Sequence, residues 1–219
     1  MAPLGSFRSA RVSFAFEYKE IYDQAGLLLS FRRSSSSQPS APPPKWIKTG
    51  VEYYNGNPML STVACDAWAD WSVTPLLRGP GAGADGKEWT TVAVVREGDA
   101  KGMSLWVYQL VPGADGAETK VPLREICWVF GDPDEEWEVA VEAMAARPKE
   151  SASEALHVEF ARFEVSWAPG TAAQGSYDRR TLLRCTLTST RDTKTSRRQP
   201  GTYQVRWPDL SLPSPSKGR

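Results

Sequence analysis

The sequence predicts an all-β fold, an antiparallel sandwich or barrel, and three observations lead to this prediction. In the region 11–167 apolar residues alternate with polar ones at a period of two, as in Arg11–Tyr18, whose even-numbered apolar residues share one face. The alternating runs recur about every ten residues or a little more, which is typical of sandwiches and barrels. The chain also has nine Trp, seven Tyr and seven Phe, and aromatic residues favour strands. No long window shows the period of an α-helix.

Ten runs are predicted to be strands, because each combines β-branched or aromatic residues with flanking turn residues. In chain order they are Arg11–Tyr18, Ala25–Phe31, Lys45–Tyr54, Pro58–Cys65, Trp68–Leu76, Trp89–Arg96, Gly102–Val111, Leu123–Gly131, Trp137–Ala146 and His157–Trp167. Asn55-Gly56-Asn57-Pro58 predicts a tight hairpin turn, and Gly113–Gly116 and Gly131–Asp134 are similar. Cys65 and Cys127 lie within predicted strands, so we expect both to be buried as small apolar side chains.

Two segments interrupt the strand pattern. Arg32–Pro44 is rich in Ser and Pro, which predicts an inserted mobile loop with polyproline character. Arg78–Lys87 is rich in Gly, but it lacks the Gly-Lys-Ser/Thr ending before a helix that a phosphate-binding loop requires. We therefore interpret it as a hairpin loop.

The chain has 26 basic and 26 acidic residues, but these charges are unevenly distributed. Residues 1–167 contain 16 Lys and Arg against 23 Asp and Glu, whereas residues 168–219 contain 10 against 3. The second segment is rich in Pro, Ser and Thr and poor in large aliphatic residues, which predicts a disordered basic tail after a domain of residues 1–167. A basic arm for nucleic acid is the alternative, but an acidic domain would repel phosphates, so we do not expect a nucleic-acid partner.

Composition excludes several classes of function. Three Cys are too few for a disulfide framework and are typical of reduced thiols inside a cell. A single histidine, His157, and the absence of ligand spacing predict no metal site and no cofactor. The first residues contain no apolar core of a signal peptide, and no run is long enough to span a membrane. We therefore expect a cytoplasmic protein without a membrane partner.

Lys45–Tyr54 (KWIKTGVEYY) is the most informative run. On a strand, Trp46, Lys48 and Glu52 project from one face, together with a glycine that leaves space between them. An aromatic ring can stack on a sugar, while an ammonium and a carboxylate can bind its hydroxyl groups. The alternative is a solvent-facing strand on which Lys48 and Glu52 pair with cross-strand neighbours.

Four further residues, Asp23, Gln24, Asp70 and Trp71, are candidates for the edge of such a surface. Trp68 and Trp71 should point to opposite faces of one strand, so that one belongs to the core and the other is exposed. Asp70 and Ser72 share a face, where they either bind a ligand hydroxyl or cap a loop. Asp23-Gln24 is either a polar pair at the edge of a cleft or a turn that enters a strand.

Hydrolysis of a glycoside would require two carboxyl groups that face one bond. No Glu-x-Asp-x-Glu string is present, and the acidic run Asp132–Glu136 contains a proline and follows a glycine, which predicts a turn. Glu52 and Asp70 are the remaining candidates for a sandwich-type glycoside hydrolase, which we keep as the alternative function.

Several motifs occur in an order that resembles one family: DQAGLLL (Asp23–Leu29), KWIKTGVEYYNG (Lys45–Gly56), LSTVACDAWADWSVTPL (Leu60–Leu76), the Trp89–Arg96 strand and EVAVEAMAARP (Glu138–Pro148). It is an uncharacterised domain family that includes the yeast regulation-of-enolase protein, within the concanavalin A-like lectin/glucanase superfamily. The resemblance implies a two-sheet jelly roll whose concave face binds a ligand. Members normally begin with further strands, so we expect N-terminal strands to be missing here.

Together, the residues and the resemblance predict a non-catalytic binding or regulatory protein. Its lectin-like concave face would bind a carbohydrate or a protein partner, with regulation of a metabolic enzyme such as enolase among the possibilities that the resemblance implies. The predicted ligand surface consists of Asp23, Gln24, Trp46, Lys48, Glu52, Asp70 and Trp71.

Overall fold

The computed structural model describes residues 1–35, 43–79, 86–100, 102–132, 136–149, 154–169 and 183–187. These residues form a sandwich of two antiparallel six-stranded sheets with almost no helix. The predicted all-β antiparallel sandwich is therefore confirmed.

The described residues contain twelve strands and two single-turn 3₁₀ helices. The strands are β1 (Ala2–Pro3), β2 (Phe7–Phe16), β3 (Gln24–Arg33), β4 (Lys45–Tyr54), β5 (Asn57–Cys65), β6 (Ala69–Pro75), β7 (Thr90–Asp99), β8 (Gly102–Pro112), β9 (Glu118–Ile126), β10 (Trp137–Ala146), β11 (Leu156–Trp167) and β12 (Leu183–Leu187). The 3₁₀ helices are Leu4–Ser6 and Cys127–Phe130.

The first sheet has the strand order β1-β10-β3-β4-β5-β6, and the second has the order β12-β11-β2-β7-β8-β9. The core lies between them and consists of alternate residues of the two inner faces, such as Leu27, Ile47 and Val51 of the first sheet and Val12 and Val92 of the second. Burial of these apolar side chains is the main favourable contribution to folding. Each sheet also has an outer face, which points away from the other sheet.

The hairpin between β4 and β5 has the predicted tight turn. Asn55 and Gly56 have φ angles of 50° and 76°, both in the left-handed region. Two consecutive residues of this kind form the turn whose twist matches that of the flanking strands. This turn sets the register in which Glu52 lies opposite Met59 and Lys48 lies opposite Val63.

The predicted strand Leu123–Gly131 is wrong in its bounds. Its first four residues end β9, Glu118–Ile126, and a 3₁₀ helix follows at Cys127–Phe130. In that helix Val129 is buried, Cys127 is exposed, and the Trp128 ring makes an edge-to-face contact with Phe31. On a straight strand Cys127 and Val129 would share one face, so one could not be exposed while the other is buried. The expected burial of the two cysteines is also wrong, since Cys127 is exposed and Cys65 is half-buried at the end of β5.

Predictions at the loops and termini have different outcomes. The first two residues of the expected insertion Arg32–Pro44 belong to β3, and residues 36–42 lie outside the described part of the chain. Within the expected disordered tail, Leu183–Leu187 forms β12, which pairs with the edge of β11. The rest of the tail beyond residue 169, and with it the possible basic arm, lies outside the described residues.

Candidate functional site

Four of the predicted ligand residues come together on the outer face of the first sheet. Gln24 of β3 lies opposite Glu52 of β4, and Lys48 of β4 lies opposite Leu28 of β3. On β6, Trp71 lies opposite Val63 of β5, in the same row as Lys48. Because side chains alternate between the faces of a sheet, all of these point away from the second sheet.

Lys48 and Glu52 contact each other although they are four positions apart along a strand, a span of about 13 Å between their Cα atoms. The Lys48 Nζ lies 3.8 Å from the Glu52 Oε2 and donates a hydrogen bond of 2.5 Å to the Gln24 Oε1. Gly50 lies between Lys48 and Glu52 on this face and faces Gly26 of β3. The two glycines leave the sheet bare there, so the Lys48 side chain can extend over them towards Glu52 and Gln24.

Ser61 of β5 joins this pair to an exposed tryptophan. The Ser61 hydroxyl donates to the Glu52 Oε2 at 2.6 Å and accepts a hydrogen bond of 3.0 Å from the Trp71 Nε1. Trp71 is thereby fixed at its polar edge, while 43% of its surface remains exposed.

Two tyrosines complete a closed circuit of contacts. Tyr54 packs edge-on against Trp71, with ring centroids 5.1 Å apart, and stacks on Tyr22 at 6.0 Å. The Tyr22 carbonyl accepts a hydrogen bond from the Gln24 Nε2 at 3.1 Å. We call this circuit the outer-face ring; its members are Tyr22, Gln24, Lys48, Glu52, Tyr54, Ser61 and Trp71. One half of the ring is aromatic and the other half is polar.

Burial within the ring affects its electrostatics. Desolvation lowers the pKa of the Lys48 ammonium, and the charge of Glu52 opposes that effect. Glu52 is 5% exposed, and its Oε1 has no hydrogen-bond donor among the described residues. The ring therefore has a hydrogen-bond acceptor, the Glu52 Oε1, close to the Lys48 ammonium. The charges of Lys48 and Glu52 cancel, so the pair has no net charge.

Asp23 lies next to the ring but does not contribute to its surface. Its side chain is fully buried and accepts hydrogen bonds from the backbone N–H groups of Lys19 and Glu20 and from the Arg147 guanidinium at 2.7 Å. Burial alone would raise the pKa of this carboxyl, but the hydrogen bonds from Arg147 and the backbone outweigh it and lower the pKa. Asp23 is thus part of a turn that enters β3, which was one of the two sequence alternatives.

That turn determines the position of Tyr22. Tyr22 has a φ of 68°, which is rare for a residue with a bulky side chain. Its N–H donates to the Tyr53 carbonyl at 2.7 Å, and the Tyr53 N–H donates to the Asp23 carbonyl at 2.8 Å. Strained backbone of this kind persists where surrounding contacts determine it. Here those contacts also place the Tyr22 ring against Tyr54.

Asp70 points in the opposite direction from Trp71. It lies opposite Ala64, in the row of the core residue Ile47, and its carboxylate is hydrogen-bonded to Arg124 of β9. Arg124 also donates to the Ser72 hydroxyl at 3.2 Å, so Asp70 and Ser72 connect the margins of the two sheets. The expectation that either Trp68 or Trp71 belongs to the core is wrong, because both are exposed.

Trp46 projects from the same face as the ring but lies apart from it. It is half-buried near the start of β4, opposite Ser30 and Cys65, and six residues from Glu52. Three members of the ring, Tyr22, Tyr54 and Ser61, were not among the predicted ligand residues. Ser61 lies between Leu60 and Thr62 in β5, opposite Gly50. No motif in the sequence distinguishes it from other serine residues on strands.

Other parts of the described structure provide no comparable candidate for a ligand-binding site. No group of three potential metal ligands occurs among the described residues. In the same residues, no helix has the length and apolar character needed to span a bilayer. A cavity of about 70 Å³ near Thr62, Ser72 and Leu123 has room for a few water molecules but not for a sugar ring.

Comparison with known proteins gives one family and several relatives. A model of the family described as "Protein of unknown function (DUF1349)" matches residues 1–167. Uncharacterized protein AN7484 of Emericella nidulans is 42% identical over 171 residues, which are 77% of this chain and 73% of the relative. Regulation of enolase protein 1 of Saccharomyces cerevisiae is 32% identical over 68 residues, 31% of this chain and 29% of the relative. The crystal structure of a functionally unknown protein from Saccharomyces cerevisiae aligns with a TM-score of 0.47 at 23% identity, over 76% of this chain and 72% of the other.

Proposed function

The chain belongs to the DUF1349 family of proteins of unknown function, and on that premise we propose that it is a non-catalytic binding protein whose ligand surface is the outer-face ring. As part of the same proposal we assign the sandwich to the concanavalin A-like superfamily. Two antiparallel six-stranded sheets agree with that architecture.

The observation that carries the proposal is that the Trp71 ring is both held in place and exposed. A large aromatic ring that is fixed by a hydrogen bond to Ser61 and yet 43% exposed is ready to bind without losing much conformational freedom. Beside it, no described residue donates a hydrogen bond to the Glu52 Oε1, so a ligand hydroxyl can donate to this oxygen in place of water.

A neutral carbohydrate is the ligand class that these groups fit best. A sugar ring has an apolar face, which can stack on Trp71, and hydroxyl groups that both donate and accept. Glu52 can accept from one hydroxyl, and the Lys48 ammonium can donate to its neighbour. Because the charges of Lys48 and Glu52 compensate each other, the pair does not favour an acidic or a basic ligand.

A protein partner is the second candidate. The relative named regulation of enolase protein 1 favours it, since its name states an effect on an enzyme. Exposed tryptophan and tyrosine are also common in the central residues of protein interfaces. In that case Trp71 and Tyr54 would be the apolar centre of the contact, and enolase is the first partner to test.

The positions of the carboxylates argue against the alternative of a glycoside hydrolase. That alternative requires Glu52 and Asp70 to face one glycosidic bond. Glu52 lies on the outer face of the first sheet, whereas Asp70 lies in the row of inner-face residues and is bound to Arg124. For this reason the proposal includes no catalytic step.

Screening on an array of neutral and acidic glycans, followed by calorimetric titration of the best soluble oligosaccharide, tests the proposal. We expect Trp71→Ala and Glu52→Gln each to weaken binding at least about tenfold, which corresponds to about 1.4 kcal/mol. Trp68→Ala is the matched control, because Trp68 is an exposed tryptophan outside the ring.

Capture on immobilised enolase, with the same three variants, decides between the two ligand classes. Binding of neither glycans nor enolase would contradict the proposal, as would binding that Trp71→Ala leaves unchanged. Turnover of a panel of chromogenic glycosides that is lost in Glu52→Gln would instead establish the glycoside hydrolase.

A further inference from the structure

The edge strand β6 exposes more apolar surface than its neighbours. Six of its seven residues are exposed, and Val73 is half-buried. Trp68, immediately before the strand, is 88% exposed, and Leu77, just after it, is 47% exposed. Large apolar side chains grouped in this way on a sheet edge commonly mark an interaction surface.

The other three edges have features that oppose pairing. β1 has two residues and β12 has five. β9 has nine residues, but it contains Lys120 and Pro122 and its register with β8 shifts at Val107/Tyr108. Charged residues, proline and bulges are the usual protection of sheet edges. In β6 the register with β5 is regular, the only proline ends the strand, and the only charge is Asp70.

We propose that β6 pairs antiparallel with β6 of a second copy of this chain, with Ser72 on the two-fold axis. An antiparallel strand can pair with its own copy in a symmetric register, so no second complementary sequence is needed. Ser72 is the middle residue of Ala69–Pro75. The pairing would join the two first sheets into one continuous sheet of twelve strands.

This register makes favourable side-chain pairs. Trp71 of one copy lies opposite Val73 of the other on the outer face, an aromatic and β-branched pair of the kind that stabilises sheets. Asp70 lies opposite Thr74 rather than opposite the other Asp70, so like charges do not meet. At both ends, the exposed Trp68 comes next to the segment that contains the exposed Leu77 of the second copy.

Arg124 limits the pairing at one point without preventing it. Its guanidinium hydrogen-bonds the Asp70 carboxylate and carbonyl, the latter at 3.2 Å, and thereby neutralises the strand's only charge. We therefore expect the backbone pairing to be centred on Trp71–Val73, the residues nearest the two-fold axis.

Sedimentation equilibrium of the full chain between about 1 and about 100 µM, where micromolar dimers dissociate, tests the proposal. We expect the mass to rise from 24.2 kDa towards twice that value. Trp68→Ser should weaken the dimer at least about tenfold without affecting the fold, because Trp68 is almost fully exposed. Val73→Lys should abolish the dimer, and Thr119→Lys, the same kind of change on the edge strand β9, should leave it intact.

Cross-linking tests the register. With Ser72 on the axis, Ser72→Cys brings two thiols within disulfide distance and should give an oxidised dimer on a non-reducing gel. Thr74→Cys faces Asp70 of the second copy and should give no dimer beyond that of the parent chain. A monomer at every concentration would overturn the proposal, and so would a dimer that neither Trp68→Ser nor Val73→Lys weakens. Neither result depends on whether the outer-face ring binds a ligand.

Discussion

Gly50 shows how one small residue determines the chemistry of its neighbours. A Cβ at this position would lie 2.0 Å from the Ala25 carbonyl oxygen and 2.7 Å from the Gly26 Cα. Any other residue would therefore force β3 and β4 apart. The bare surface also lets Lys48 reach Glu52, so the ion pair depends on a residue that carries no polar group.

We expect Gly50→Ala to destabilise the protein by at least about 2 kcal/mol, because the strands must separate to admit the methyl group. Gly131→Ala is the control. At Gly131 a Cβ would meet its nearest atom, the Trp128 carbonyl oxygen, at 3.4 Å, so this change should stay within about 0.5 kcal/mol. Chemical denaturation of the two variants checks the difference, and equal stabilities would show that the close approach of Gly26 and Gly50 is unimportant.

At the scale of elements, a buried ion pair connects the turn before β3 to the segment after β10. Asp23 and Arg147 are 124 residues apart in sequence, and both side chains are largely removed from solvent. Exposed pairs, Lys19 with Glu154 and Lys149 with Glu20, flank the buried one. The buried pair thereby positions the strained Tyr22 at the edge of the outer-face ring.

The lowered pKa of Asp23 predicts how stability depends on pH. The contribution is complete above the pKa of the unfolded chain, near 3.9, and it is lost as the pH falls through the lower pKa of the folded state. Asp23→Asn leaves Arg147 buried without a counter-charge, so we expect a loss of about 3 kcal/mol at pH 7. The difference from the parent chain should shrink as the pH falls below that range.

Urea denaturation at neutral and strongly acidic pH measures this difference. Glu154→Gln removes an exposed partner of Lys19 and should change stability little under either condition. A gap between Asp23→Asn and the parent chain that is the same at both pH values would refute the assigned role of the Asp23 charge.

At the scale of the molecule, the core extends from Leu4 to Phe160, and the family model ends at Trp167. β12 adds a strand to the edge of β11 from outside that range. The division into a domain of residues 1–167 and a tail remains a prediction. This division implies that the strands which enclose the core can fold without the residues after 167.

We expect the chain truncated after residue 169 to fold cooperatively, because every residue of the buried cluster in the described part of the chain precedes that point. Near-ultraviolet circular dichroism should retain the tryptophan signals of the full chain, and thermal unfolding should remain a single transition with a modestly lower midpoint. A truncated chain without a near-ultraviolet signal would show that the tail is part of the domain.

Local patterns in the sequence were sufficient for most of the architecture. β4 and β10 have the predicted bounds, since alternation of side chains and the turn residues that end a strand both act within a few residues. The same alternation placed Lys48 and Glu52 on one face. Where the local pattern was weak, as in the charged strand β9, the prediction was wrong.

Only the tertiary structure decided which side chains meet. The partners of Asp23, Asp70 and Glu52 lie on other strands, and a single residue of register shift would point those partners to the opposite face. That register depends on how the core packs and on how distant strands pair, which no local pattern encodes. The sequence by itself thus determined the strands and their faces, and the pairing of the strands determined the outer-face ring.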